Sequence, residues 1–133
     1  VRVADLGTPG LDLASHVAGF DLVVLIDTVM IDAPPGTLVR LSKGDLFAPR
    51  DVTCAPRPRM TMHDAGIEDA IALAELAGNP VGEVELIGVV PVCLDQGVSL
   101  SPHVEAAIDR AVNEAAKIVN EALRHASQAA LTM

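Results

Sequence analysis

The sequence predicts an α/β fold: a mostly parallel, twisted sheet between helices in a three-layer αβα sandwich, with one edge strand antiparallel. Three observations carry this reading. The runs Leu22–Ile26 and Val84–Val90 are rich in Val, Leu and Ile, as strands inside such a sheet are. These runs alternate along the chain with helical patterns. Aromatics are nearly absent, with two Phe and no Trp or Tyr, so Val, Leu, Ile and Ala must fill the core.

The elements follow in order. Val1–Ala4 reads as a short strand, and Asp5-Leu6-Gly7-Thr8-Pro9-Gly10 as a turn. Gly10–Ala18 is a short helix with Leu11, Leu13, Ala14 and Val17 as its apolar positions. Phe20–Asp27 is a strand expected to be buried on both faces. Asp32-Ala33-Pro34-Pro35-Gly36 must be loop, because paired prolines continue neither a ladder nor a helix. Thr37–Leu41 alternates weakly and reads as an edge strand, and Lys43–Arg59, with three prolines, as an exposed loop. Gly66–Ala77 is helical, with Ile67, Ala70, Ile71, Leu73, Ala74 and Leu76 on one broad apolar face. Gly78-Asn79-Pro80 ends it, and Glu83–Val90 is the last strand. Ser101 caps a final helix, with Pro102 at its first position and Glu105 close behind. That helix is expected to run to about His125. The expectation is therefore one α/β domain over residues 1–125 and a frayed tail over 126–133.

Composition narrows the function. The 133 residues carry a net charge of −9, which argues against nucleic acid and anionic membranes, since both call for clustered Lys and Arg. No apolar stretch approaches the ~20 residues of a membrane span. Cys54 and Cys93 are too few for a disulfide framework or a thiolate zinc site, and read as reduced thiols of a cytoplasmic protein. The first residues are no signal peptide. The chain lacks an initiator Met and starts in strand register, which predicts a gene product that begins earlier.

Two residues stand out for chemistry. Asp27 closes the apolar run Leu22-Val23-Val24-Leu25-Ile26, at the strand end where an open α/β sheet lines its ligand crevice. It either caps the next loop or, hydrated or metal-bound, serves a site. His63 lies in Thr61-Met62-His63-Asp64-Ala65-Gly66, just before a helix that Asp64 can cap. It is a structural hydrogen-bonding residue or a ligand. A carboxylate and an imidazole that converge can share a divalent metal or perform acid–base chemistry. Asp5 is a weaker site candidate that also suits a turn. His16, His103 and His125 read as solvated helix residues. A Gly-rich loop followed by Lys, Gly-x-Ser-x-Gly and His-Glu-x-x-His are all absent.

In sequence order, Ile26-Asp27, Pro35-Gly36-Thr37, Met62-His63-Asp64-Ala65-Gly66, Leu86-Ile87-Gly88-Val89-Val90-Pro91 and Leu100-Ser101-Pro102 resemble the hydrogenase maturation proteases. Asp5-Leu6-Gly7-Thr8 resembles that family's Asp-Gly-Gly-Thr turn, and the likeness runs from Val1 to about Val119. The resemblance implies an endopeptidase that trims the C-terminal extension of the nickel–iron hydrogenase large-subunit precursor after nickel insertion. The bound nickel is then the recognition element, met by a Glu or Asp, an Asp and a His of the protease. Asp27 matches the Asp and His63 the His. Nickel is carried by the substrate; two protein ligands alone would bind it, or another divalent ion, weakly.

The sequence departs from the family at its start. The family's leading strand, Gly-x-Gly-Asn, acidic turn and helix, which supply the third ligand, are not in it. That strand lies inside the family's sheet, so the strands from Val1 and Leu22 are expected to pair directly or to have the gap filled by another segment or chain. The function expected is thus a maturation endopeptidase, cytoplasmic, with the large-subunit precursor as partner. Water activation by the metal and by a carboxylate are both open. The alternative is a non-catalytic module of the same fold that binds the large subunit and checks nickel loading. An unrelated nucleotide-binding α/β domain is a weaker third reading.

Overall fold

A computed structural model describes residues 1–47, 66–92 and 99–132. A single 3-10 turn, Gly10–Asp12, leads into α1, Leu13–Val17. Then follow β1 (Leu22–Thr28), β2 (Leu38–Ser42), α2 (Lys43–Phe47), α3 (Ile67–Leu76), β3 (Glu83–Val89) and α4 (Pro102–Leu131). The class is α/β, as the sequence predicts. No helix among the described residues is long and apolar enough to cross a membrane.

The three strands form one mixed sheet in the order β1-β3-β2. β1 and β3 run parallel: near their starts Glu83 N–H donates to the Asp21 carbonyl (2.9 Å), and at their ends Val29 N–H donates to that of Val89 (3.0 Å). β2 is the expected antiparallel edge strand, in register from Leu38 opposite Val89 to Ser42 opposite Glu85. Arg40 reaches diagonally across this ladder and donates twice to the Glu85 carboxylate, at 3.0 and 3.1 Å. That hydrogen bond, aided by the charge of Glu85, raises the Arg40 guanidinium above its ordinary pKa.

Burial separates two strands that look alike in sequence. β3 is buried from Leu86 to Val89, while β1 is half-buried over its first four residues and exposed over Ile26, Asp27 and Thr28. The expectation that β1 is buried on both faces is therefore corrected. Among the described residues it has a neighbour on one side only, and the strand paired on both sides is β3. At Gly88 a Cβ would stand 2.5 Å from Val29 Cγ1 and 3.0 Å from Val39 Cγ2, so stiff side chains just past the end of β1 and within β2 close over the glycine.

Val1–Ala4, expected as a strand, has no regular structure, and Val1 and Val3 are exposed. It joins no ladder of the described sheet, and an extended run without a ladder has no backbone partners to hold it as a strand. The direct pairing of Val1–Ala4 with the strand from Leu22 is accordingly not found.

The chain divides into two compact units, Val1–Val23 with Gly44–Glu83, and Val24–Lys43 with Val84–Met133. In the first unit the buried side chains are Leu13, Val17, Leu46, Ala70, Ile71, Ala74 and Val81. Leu46 belongs to α2, a short helix where the sequence predicts loop; burial of this leucine gives the turn an apolar anchor. At the start of α3 the Asp69 carboxylate accepts from Gly66 N–H at 3.1 Å, so the acid inside the first turn satisfies the helix entrance. The capping by Asp64 concerns a residue outside the described ones. α3 ends as the sequence predicts. Gly78, at φ +82, donates to Glu75 and Asn79 to Ala74, the Schellman pattern. Its apolar face is narrower than expected, with Leu73 and Leu76 exposed.

In the second unit Val84, Leu86, Ile87, Val89 and Val90 form the core with Ala107, Ala111 and Ile118 of α4. Ser101 caps α4, its Oγ accepting from Val104 N–H, and Pro102 opens the helix. The segment expected to fray from residue 126 is instead helical to Leu131. Its Ala-rich sequence favours helix without needing an apolar stripe, and Ser127 bonds back to the Leu123 carbonyl at 2.9 Å.

Candidate functional site

Asp27 sits at the carboxyl end of β1 with its side chain exposed. One carboxylate oxygen accepts from Thr28 N–H at 2.7 Å. This local bond fixes the carboxylate relative to the strand end and leaves the second oxygen available to another donor or a cation. The position is the one that the sequence analysis assigns to it.

The same edge of the sheet receives the turn that leads into β2. Pro34, Pro35, Gly36 and Thr37 form a type II turn: Thr37 N–H donates to the Pro34 carbonyl at 3.1 Å, and Gly36 takes φ +85. The Thr37 hydroxyl donates to the same carbonyl at 2.6 Å. Gly36 N–H donates to Val90 and Val90 N–H to Thr37, which ties the turn to the end of β3. From α4, Arg110 donates to the Gly36 carbonyl at 2.8 Å. A Cβ on Gly36 would lie 2.9 Å from the His103 carbonyl oxygen, so the turn packs backbone to backbone against the start of α4.

Between Asp27 and this turn the chain carries two exposed apolar side chains, Met30 and Ile31. Sequence reasoning assigns them no role. The available signal is an apolar pair placed in a proline-bounded loop directly after the candidate acid.

Asp5 has its turn role: its Oδ1 accepts from Gly7 N–H at 3.0 Å, with Gly7 at φ +62. It lies in the first compact unit and Asp27 in the second. His63 falls outside the described residues, as do Cys54 and Cys93. Among the described residues no group of three or more His, Cys, Asp and Glu stands ready to hold a metal ion. His16 is half-buried on α1, and His103 and His125 are exposed on α4.

The comparisons with known proteins agree with one another. The family model HycI, hydrogenase maturation protease, matches residues 1–118. The hydrogenase expression/formation protein HupD of Rhodobacter capsulatus is 36% identical over 118 residues, covering 88% of this chain and 54% of HupD. The hydrogenase 2 maturation protease of Escherichia coli is 25% identical over 122 residues, covering 91% of this chain and 71% of that protein. Among solved structures, the hydrogenase maturating endopeptidase HybD from E. coli superimposes with a TM-score of 0.69 at 27% identity, over 90% of this chain and 70% of that one. The [NiFe] hydrogenase maturation protease HybD from Thermococcus kodakarensis gives 0.59 at 29% identity, over 88% and 78%. The chain spans about half the length of the first relatives it matches, 54% and 50%. With a family match over nearly its whole length and a shared fold, the chain belongs to the hydrogenase maturation protease family.

Proposed function

We propose that this protein is a hydrogenase maturation endopeptidase, which removes the C-terminal extension of the nickel–iron hydrogenase large-subunit precursor once nickel is inserted. The observation that carries the reading is the exposed Asp27 carboxylate at the carboxyl end of β1, in a chain of this protease family. Nickel belongs to the substrate. Asp27 would approach it with its free oxygen, and His63 would add an imidazole; both donors suit a borderline divalent ion. Asp27 and His63 fill two coordination positions, and the precursor's own residues carry the metal to them. A protease built this way binds a loaded precursor better than an empty one. Hydrolysis then adds water across the scissile amide: the hydroxyl goes to the carbonyl carbon, the C–N bond breaks and the proton goes to the leaving amine.

Incubation with nickel-loaded and nickel-free precursor tests this. A shortened large subunit in the loaded sample alone is expected. Precursor that is bound but not shortened would instead identify a non-catalytic checkpoint module of the same fold. Equal cleavage of loaded and empty precursor would remove nickel as the recognition element.

A further inference from the structure

We infer that the loop over residues 30–35 is the surface on which the polypeptide substrate seats apolar side chains beside the scissile bond, with Met30 and Ile31 as its specificity-determining residues. This rests on the proteolytic reading above and adds the chemistry of the segment recognised.

Met30 is 66% exposed and Ile31 45%. Exposed apolar residues are common one at a time, but these two are adjacent and sit on a loop whose backbone is held. Val29 N–H is bound to Val89 before them. Ala33 N–H donates to the Ile31 carbonyl at 2.9 Å, a three-residue turn inside the loop. Beyond it the Pro34–Thr37 turn is fastened to Val90 and to Arg110. Two apolar side chains are thus presented by a preorganised frame, so a ligand need not order the loop when it binds.

Position supplies the ligand. The loop leaves the carboxyl end of β1 three residues after Asp27, where open α/β sheets bind their substrates. Asp27, Met30 and Ile31 belong to the same compact unit. Met30 has the adaptable side chain of surfaces that accept several apolar partners. Asp32 is the loop's one charged residue, which favours a basic over an acidic residue beside it. The segment that fits is a short apolar stretch of the precursor flanking the cleavage point, free of Asp and Glu.

Steady-state processing of nickel-loaded precursor by wild type, Met30→Ser, Ile31→Ser and the double variant tests this, with precursor affinity measured in parallel by biolayer interferometry. Val112→Ser, which alters an equally exposed apolar residue on α4, is the control. Each single change is expected to raise KM and Kd about tenfold and the pair about a hundredfold, with kcat and thermal unfolding unchanged. Met30→Gln, which keeps the length and loses the apolarity, should match Met30→Ser. If wild type cleaves and the double variant keeps KM and Kd within about twofold, the loop assignment is overturned and the protease reading stands. If wild type binds without cleaving, the protease reading falls, and weaker binding by the double variant still supports the loop. Absence of both binding and cleavage overturns both.

Discussion

Gly36 is where the structure makes its most quantitative demand. Replacing it with alanine has two costs. An L-residue at φ +85 costs about 1–2 kcal/mol in backbone strain. The new Cβ would also lie 2.9 Å from the His103 carbonyl oxygen, a backbone atom of α4 with no rotamer to move, and such overpacking costs about 1–3 kcal/mol. Gly78 separates these costs, because it has nearly the same φ, +82, and nothing within 4 Å of its would-be Cβ. Gly78→Ala should therefore lose about 1–2 kcal/mol and Gly36→Ala about 2–5 kcal/mol. The measurement is urea unfolding followed by far-UV circular dichroism, comparing midpoints at unchanged slope. A coupled effect is expected at Arg110, whose bond to the Gly36 carbonyl should loosen as the turn backs away. Arg110→Ala should then cost less in the Gly36→Ala background than in wild type. If Gly36→Ala costs no more than Gly78→Ala, the close packing of the turn on α4 is wrong.

Asp27→Ala and His63→Ala should abolish precursor processing; Asp27→Ala, at an exposed position, should shift stability by no more than about 0.5 kcal/mol, and normal large-subunit maturation by both variants would refute the proposed site. Gly88→Ala should lose about 1–3 kcal/mol by collision with Val29, and Val29→Ala in the same chain should return part of that loss; additive losses in denaturant would contradict the packing. Glu85→Gln should cost at most about 1 kcal/mol, with the cost shrinking in high salt, because the Arg40 side chain is half exposed; a larger, salt-independent loss would show that the pair does more than pin the edge strand.

Helix ends and turns were the features most legible in the sequence. Gly78-Asn79 and Ser101-Pro102 announce their caps through short-range chemistry, and Pro35-Gly36 announces its turn, because every atom involved lies within a few residues. Which apolar run becomes the central strand was not legible. Leu22–Ile26 and Val84–Val90 have nearly the same composition, and only their neighbours, distant in sequence, make β3 the buried one. The last turns of α4 carry no apolar periodicity to mark them, because alanine-rich helix persists on propensity alone. α2 was hidden in the same way: a single buried leucine leaves no period to detect. For the site, Asp27 was visible as a charge ending an apolar run. The role of Met30 and Ile31 was not, since only their exposure on a fixed loop separates them from ordinary core residues.

The order of strands has a kinetic consequence. Among the described strands, no two neighbours in the sheet are joined by a hairpin. Val29 and Val89, which bond at the ends of β1 and β3, are roughly 60 residues apart, and β2 meets β3 across roughly 40–50. Sheets closed by such distant pairings fold in milliseconds to seconds rather than microseconds. On the ribosome, at ~5–20 residues per second, β1 emerges about 3–12 s before β3 is complete. Through that interval the apolar run Leu22–Ile26 lacks its β3 partner. The edge of β1 that β3 later covers is thus open to aggregation or chaperone capture until that strand is synthesised.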